Sequence, residues 1–510
     1  MSRPFVALIG LLLAACGSGI PKGLTYYWSG DPRSLDPALS TDVPTGEAVT
    51  LLFDNLTQFD PDGHVVPGLA TAWTATPDGR TWTFRLRSGV VFSDGRPVNV
   101  AAIEASFLRA LRMRKEGGRI WPLLPIAGST AVADSGAERL RGLTVLNDST
   151  IAFTLSEPLN IFPKLLAMPV AAIVPTPTDE AFGEGPVGSG PWKFVSWSHD
   201  DLLVFARNPR WWGPRVASDT LRVRIIPEIF TQAAEYESGR LSVVEIPAGE
   251  SDRWDRTHGA ELQRRPAIRA VYVAMNTSRG ALTDVRVRRA INHAVNIPAI
   301  LARVLHGRGV LAAGTIPPGL DGYDATRARY RYDPALAIQL LATAGHATDL
   351  KLQLWRSQRA DFARIAQAIQ ADLERVGIAL EIVERDASTA RSTARKGDAD
   401  LFLSDWWADY PDGENFTYPL FHSSNAGTGG NYAFVKNPAL DSLLVQARST
   451  PDSVEKRRLL TTIDQQIFDL APWIFCWFPT DVWAMRPEVR GWRYPAVFTG
   501  QRWTTVTIDR

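Results

Sequence analysis

Residues 351–403 read KLQLWRSQRADFARIAQAIQADLERVGIALEIVERDASTARSTARKGDADLFL, and their alternation decides the fold class. Residues 351–355 place Leu352 and Leu354 at every second position, as a strand with one buried face does. Residues 361–376 put Phe362, Ile365, Ala366, Ile369 and Leu373 on one face of a helix, and Gly377 ends it. Residues 378–383 read as a strand, 388–396 as a helix and 399–403 as a strand. Strands alternating with helices at this spacing argue βαβ units on a parallel sheet, and hence an α/β fold. Ligands of open sheets of this class bind beyond the carboxyl ends of the strands. Arg356 and Arg359 follow the first of these strands, and Asp405 and Asp409 follow the last. A ligand with separated positive and negative ends suits a site that carries both.

Beyond the last strand the chain continues SDWWADYPDGENF. Pro411, Asp412, Gly413 and Asn415 mark a turn-rich segment. Ahead of it stand Trp406, Trp407, Asp409 and Tyr410. Two adjacent indoles are costly to leave in water, and an acid among them attracts a cation; a ring face adds about 0.5–2 kcal/mol for an ammonium group. One reading is a pocket for a positively charged ligand group. The other is a pair of core indoles beside acids that form turns.

Moving toward the N-terminus, helices open at capping or proline signals: Thr283 with Asp284, Pro298, and Asp333 with Pro334. Residues 73–87 and 143–155 read as hairpins around Asp78 with Gly79 and Asn147 with Asp148. Asn99 caps a helix to 112, and 47–59 has helical spacing. Residues 183–190, GEGPVGSG, are a composition break and a candidate domain boundary, followed by a hairpin across residues 198–201. Toward the C-terminus, residues 472–485 are an apolar strand region, and 503–508 are strand-like.

The 510 residues imply two or three domains. Hydrophobic content of 45% and charged content of 21% are those of a soluble globular protein, and a net charge of +1 gives no argument for nucleic acid. Ser2 and Arg3 precede an apolar run, residues 5–15, too short to span a bilayer as a helix and of the length of a signal h-region. It ends Leu13, Ala14, Ala15, Cys16, then Gly17. Small residues before a Cys at that place resemble the lipobox of bacterial lipoproteins. The resemblance implies cleavage before Cys16 and lipid on its sulfur. The one other cysteine, Cys476, then has no partner and reads as a small buried hydrophobe.

Residues 66–98, VPGLATAWTATPDGRTWTFRLRSGVVFSDGRPV, resemble a signature of the oligopeptide- and dipeptide-binding receptors of ABC importers. Pro67, Leu69, Ala70, Trp73, Asp78, Gly79, Phe84, Leu86, Arg87, Gly89, Val90, Phe92, Asp94, Gly95 and Pro97 fit that pattern. Further matches follow in family order: GSGPW at 188–192, Asn276 with DVRVRRA at 284–290, and YDP at 332–334 with LLATAG at 340–345.

The resemblance implies a two-lobed periplasmic-binding-protein-like α/β fold (type II, cluster C) with an extra inserted β-rich domain. It implies a signal peptide at 1–15, a tether at 16–23, a discontinuous lobe I from 24–46, 187–269 and 484–510, the insertion at 47–186, and an α/β lobe III at 270–483. Crossing segments are expected near 269–276 and 475–483. Members of this family hold a peptide's α-ammonium with an Asp in the segment matching 406–416, which is Asp409 here, and Trp406 and Trp407 are expected to divide into one core and one cleft residue beside Tyr410. Dipeptide-specific members hold the carboxylate with an Arg after the strand matching 351–355; alignment suggests Arg359, and a shift would make it Arg356.

The function so implied is capture of short peptides by hinge closure and delivery to the permease subunits of an ABC importer, by a monomer held at a membrane through lipid on Cys16, with no cofactor and no metal. The alternative is a receptor of the same fold for another solute, such as a nickel complex, an oligosaccharide or an opine. An exported hydrolase is remote: the chain carries no GxSxG, no HExxH and no close His pair among its seven His.

Overall fold

The computed structural model describes residues 23–178, 180–346, 350–427 and 429–509. The leader at 1–15, Cys16 and all of the tether up to residue 22 lie outside the described residues. Among the described residues no helix is long and apolar enough to cross a membrane.

The alternation at 351–403 forms as read. Lys351–Ser357 pairs in parallel with Ala379–Arg385 on one side and with Leu401–Trp407 on the other. The helices Ala360–Glu374 and Ala387–Lys396 connect them. The Asp386 side chain caps the second helix, accepting from the N–H groups of Ser388 and Thr389 at 3.0 Å each. Gly397 closes it in the left-handed conformation, φ 78°. Phe362, Ile365, Ile369 and Leu373 enter one core with Leu352 and Leu354.

The sheet as a whole is mixed rather than parallel. Leu401–Trp407 runs antiparallel to Arg269–Met275, and Arg269–Met275 antiparallel to Trp473–Met485. Local alternation reveals only strands joined by a helical crossover, which are the parallel ones; these antiparallel partners arrive from distant parts of the chain. The two faces of the sheet are covered separately, by a core around Val273, Ile291, Leu354 and Trp477 and by a core around Tyr272, Phe402, Phe416 and Phe475.

Trp473–Met485 is buried along nearly its whole length. Its first part pairs with Arg269–Met275 and Gly309–Leu311, and its last part with Leu262–Pro266 and Val243–Glu245. Val482, Trp483 and Ala484 accordingly belong to a different core, shared with Leu24, Trp28, Trp192 and Phe205. That core underlies a four-stranded sheet, Leu24–Trp28, Thr220–Ile225, Leu202–Arg207 and Trp192–Ser198 in spatial order. A second four-stranded sheet, Ala70–Ala75, Thr81–Leu86, Thr150–Thr154 and Leu143–Asn147, is antiparallel throughout. It packs Phe84 and Phe153 edge to face at 5.7 Å, against Phe107 of the helix Val100–Arg112.

Two stretches depart from the expected elements. The helix expected at 47–59 is Val43–Leu52, capped by Asp42, and Thr57–Phe59 is a strand paired with Val65–Pro67. Asn55 donates to the carbonyls of Leu166 and Met168 at 3.0 and 2.7 Å; this tertiary bonding holds the apolar segment out of the helix. At the C-terminus only Thr507–Ile508 is a strand. Trp503 adopts φ 55° with its indole on Tyr26, 4.6 Å between ring centres, which ends any strand there.

The glycine-rich run 183–190 is a close approach of backbones rather than a loose joint. A Cβ on Gly188 would lie 2.0 Å from the Leu52 carbonyl oxygen, and one on Gly190 2.6 Å from that of Leu51. Gly188→Ala therefore lowers stability by about 1–3 kcal/mol, as overpacking does. Gly249→Ala, where a Cβ meets nothing within 4 Å, stays within about 0.5 kcal/mol of the parent. Urea unfolding of both variants checks the pair.

Candidate functional site

The strand Leu401–Trp407 carries its buried residues to Leu403 and then rises out of the core. Past it, Asp409 is held from two sides. Its backbone N–H donates to Asn415 Oδ1 at 3.1 Å, and the same oxygen takes the Trp406 indole N–H at 3.1 Å. Asp412 caps the short helix Gly413–Phe416, which places Asn415 beneath the loop. The Asp409 side chain is 16% exposed, and its Oδ1 accepts from Arg119 Nη2 at 3.2 Å. Burial raises the Asp409 pKa above the ordinary carboxylate value, and Arg119 and the Asn415 amide partly offset this.

A second set of charges adjoins the first. Asp405 accepts from Arg359 at 2.9 Å and from the Trp407 indole N–H at 3.3 Å. Arg359 also engages Asp361 at 2.6 Å and lies over the Phe362 ring at 4.0 Å. The Arg269 guanidinium sits 4.5 Å from the centre of the Trp407 ring, on the strand residue directly opposite. Trp407 is 55% exposed, whereas Trp406 packs against the core. Trp406 thus lies on the core side and Trp407 on the open side.

Two expected site residues are turned away. Tyr410 is 1% exposed. Its hydroxyl donates to Glu414, and its ring joins the core of the β-rich unit beside Trp121, 6.3 Å between centres. Arg356 is buried, with its guanidinium on Glu384 and on the Ser357 carbonyl. Of the two arginines left open by the sequence, Arg359 is the one that reaches an acid of Leu401–Trp407, Asp405. Cys476 is a free buried thiol, and burial pushes its pKa far up.

The base of the site is a ring of ion pairs. Asp412 receives Lys164 at 2.6 Å and Lys456 at 2.7 Å, and Lys164 also donates to the Pro411 carbonyl at 3.0 Å. Burial alone would raise the Asp412 pKa, but the two ammonium groups hold it well below the usual carboxylate range. Arg448 lies 2.7 Å from buried Glu414 and stacks on Tyr418 at 3.8 Å. Asn160 N–H donates to the Arg448 carbonyl at 3.0 Å. Arg119, Asn160 and Lys164 all come from the β-rich unit, so the loop 409–414 is held jointly by two bodies of the fold.

Other polar clusters lie elsewhere. A cavity of about 560 Å³ is lined by Asn292, Val310, Tyr323, Arg327, Tyr330 and Cys476, and by none of the acids above. His199 pairs with Asp31 at 3.0 Å and Glu184 at 3.4 Å rather than with its sequence neighbours Ser198 and Asp200.

The family model for bacterial extracellular solute-binding proteins, family 5 (middle region), matches residues 64–428. The chain belongs to that family. Among its relatives are the probable D,D-dipeptide-binding periplasmic protein DdpA of Escherichia coli K12, 27% identical with 95% of each chain covered, and the dipeptide-binding protein of the same strain, 28% identical with 96% of this chain and 94% of the relative covered. Among solved structures, Helicobacter pylori DppA in complex with the peptide STSA superposes with a TM-score of 0.80 at 26% identity, covering 96% of this chain and 98% of that one. Brucella suis NikA in complex with Fe(III)-EDTA shares the fold at a TM-score of 0.80 and 24% identity, with 95% and 99% covered. The solute-binding protein thus has the two-lobed type II fold that its sequence motifs imply.

Sequence reasoning placed Asp405 and Asp409 together and missed Arg119, Lys164 and Arg269. Arg119 lies 290 positions from Asp409 in a loop with no motif of its own, so only the fold could join them. Asp412 yields a stability prediction. Its lowered pKa contributes stability that is present above the unfolded value, about 3.9, and is lost as pH falls toward the folded one. Asp412→Asn should cost about 3–5 kcal/mol near neutral pH, leaving two ammonium groups unpaired. The variant should also lose part of the parent's decline in stability below about pH 4. Denaturant unfolding across that range reads both effects.

Proposed function

We propose that this solute-binding protein is a lipid-anchored receptor that captures short peptides between its lobes and delivers them to an ABC importer. The observation that carries the reading is Asp409: a largely buried carboxylate just past a sheet strand, flanked by Trp406 and exposed Trp407. Such a group binds an α-ammonium through charge, and the exposed indole offers a face to the ligand. The names of the relatives support the same ligand class: dipeptide-binding protein for one, and a receptor solved with the peptide STSA for another.

In this reading lobe I is 24–46, 187–269 and 484–510, the β-rich insertion is 47–186, and lobe III is 270–483. The lobes close about Arg269–Met275 and Trp473–Met485, a hinge in which crossing strands absorb the rotation. Lipid on Cys16 holds the exported protein at the membrane, and Cys16→Ser should release it from the membrane fraction into the soluble one.

Native mass spectrometry of protein stripped of ligand by refolding tests the peptide reading. Peptides of two to eight residues should be retained and the same pool N-acetylated should not. Asp409→Ala should weaken binding by about 3–5 kcal/mol, as loss of a buried charge partner does. Peptide affinity should also fall on acidification, because a raised Asp409 pKa brings protonation, and loss of the anchor, closer to neutral pH. Retention of neither pool by the parent would sink the peptide reading and favour another solute.

A further inference from the structure

We infer that the cavity beneath residues 312–333 is a second binding site, and that it takes a small aromatic carboxylate. The inference does not depend on the peptide reading of Asp409.

Residues 314–334 read GTIPPGLDGYDATRARYRYDP. Pro317 and Pro318 lack the N–H that a ladder needs, and the chain runs without helix or strand from Gly309–Leu311 to the helix Pro334–Thr343. This strap is fixed at both ends. Thr315 donates to Asp464 through its N–H and its hydroxyl, 2.7 Å each. Arg327 pairs with the same carboxylate and donates to the Ala313 carbonyl at 3.0 Å. Farther on, the Tyr330 ring lies on Phe468, 4.6 Å between centres, and Asp333 N–H donates to the His293 carbonyl at 2.8 Å. Opposite the strap, the outer edge of Trp473–Met485 is already satisfied by Asn292, which donates to the Trp473 carbonyl at 2.9 Å and accepts the Phe475 N–H at 3.4 Å. A strap held at both ends over a satisfied edge has no reason to close onto it, and a space of about 560 Å³ lies between them. That is the size of a small-molecule pocket. Arg269–Met275 separates Trp473–Met485 from Leu401–Trp407, so two strand spacings, about 10 Å, lie between this space and the strand that leads to Asp409.

The lining gives the ligand class. Val310, Tyr323, Tyr330 and Phe475 supply an apolar, ring-rich wall. Arg327, Arg329 and Arg331 line the same space. Arg327 is 5% exposed and is neutralised by Asp464. Arg329 and Arg331 are exposed, and their guanidinium groups make no ion pair or hydrogen bond with the described residues. The backbone N–H groups of 328–332 likewise have no acceptor among the described residues. Asp324 also lines the space, but its carboxylate takes the Thr326 N–H at 2.8 Å and hydroxyl at 2.6 Å. Asp333 caps the next helix, accepting from Leu336 N–H at 2.9 Å. Cationic donors at the mouth are therefore in excess over free acids. An aromatic ring fits among Tyr323, Tyr330 and Phe475, while its carboxylate is forked by Arg329 or Arg331. A neutral ring gains only the wall.

Isothermal titration of ligand-free protein with 1-naphthoate and its neutral counterpart 1-naphthamide tests this. The parent should bind one naphthoate, at least about tenfold more tightly than naphthamide, the worth of a hydrogen-bonded charge. Arg329→Gln combined with Arg331→Gln should remove that preference and leave naphthamide within about threefold of the parent. Ala313→Phe, which fills the space, should weaken both probes by about tenfold or more. Ala328→Trp, at an exposed position on the lining, is the second filling variant and replaces Ala313→Phe if thermal unfolding shows the latter destabilised. No naphthoate binding by the parent, equal affinity for the two probes, a preference that survives the double variant, or naphthoate binding that survives filling of the space overturns the inference. None of these outcomes bears on peptide binding at Asp409, which its own peptide pools test.

Discussion

The strand Trp473–Met485 must be satisfied on both edges and both faces at once. A buried strand cannot leave N–H and C=O groups unpaired, so four other strands are required along its length: Arg269–Met275, Gly309–Leu311, Leu262–Pro266 and Val243–Glu245. Its side chains fill three cores, with Trp477 in one, Phe475 in another and Trp483 in a third. The segment thereby ties the sheet that presents Asp405 and Asp409 to the body that contains the N-terminal strand. Everything at the site inherits its placement from this shared element. Leu401–Trp407 is registered on Arg269–Met275, and that strand in turn on Trp473–Met485.

The loop 409–414 depends on a second constraint. Asp412 and Glu414 are buried acids, and neither is tolerable without a cation. Lys456 and Arg448 come from the helices beneath, while Lys164 comes from the β-rich unit. Tyr410 crosses the same boundary and places its ring in the core of that unit. The loop therefore keeps its shape only when both bodies contribute.

Much of the fold could be read from periodicity and punctuation. Helix caps at Asp42, Asn99, Asp284, Asp333 and Asp386 are local chemistry, and three of the five, Asn99, Asp284 and Asp333, lie where the sequence put them; at Asp42 the cap starts the helix a turn earlier than its apolar spacing suggested. The three parallel strands were legible because helical crossovers separate them. The antiparallel partners were not, because pairing across two hundred positions leaves no local trace. The same limit governs the site. Asp409, Arg359 and Trp407 lie on segments whose order along the chain is itself informative. Arg119 and Lys164 belong to other segments entirely, and their pairing with Asp409 and Asp412 is a property of docking. Tyr410 shows the converse error: adjacency in sequence suggested a shared site, but the chain turns after Ala408 and carries the ring into a different core.

The charges at the open end of the sheet come in balanced pairs. Asp409 faces Arg119, Asp405 faces Arg359, and Arg359 is further held by Asp361, while Arg269 rests on an indole. With three acids and three bases, the site is neutral as a whole yet strongly polarised from point to point. Arg119 and Arg359 are each nearly half exposed, so these pairs stand at the solvent boundary, and the pairing of Arg119 with Asp409 keeps a largely buried acid tolerable there.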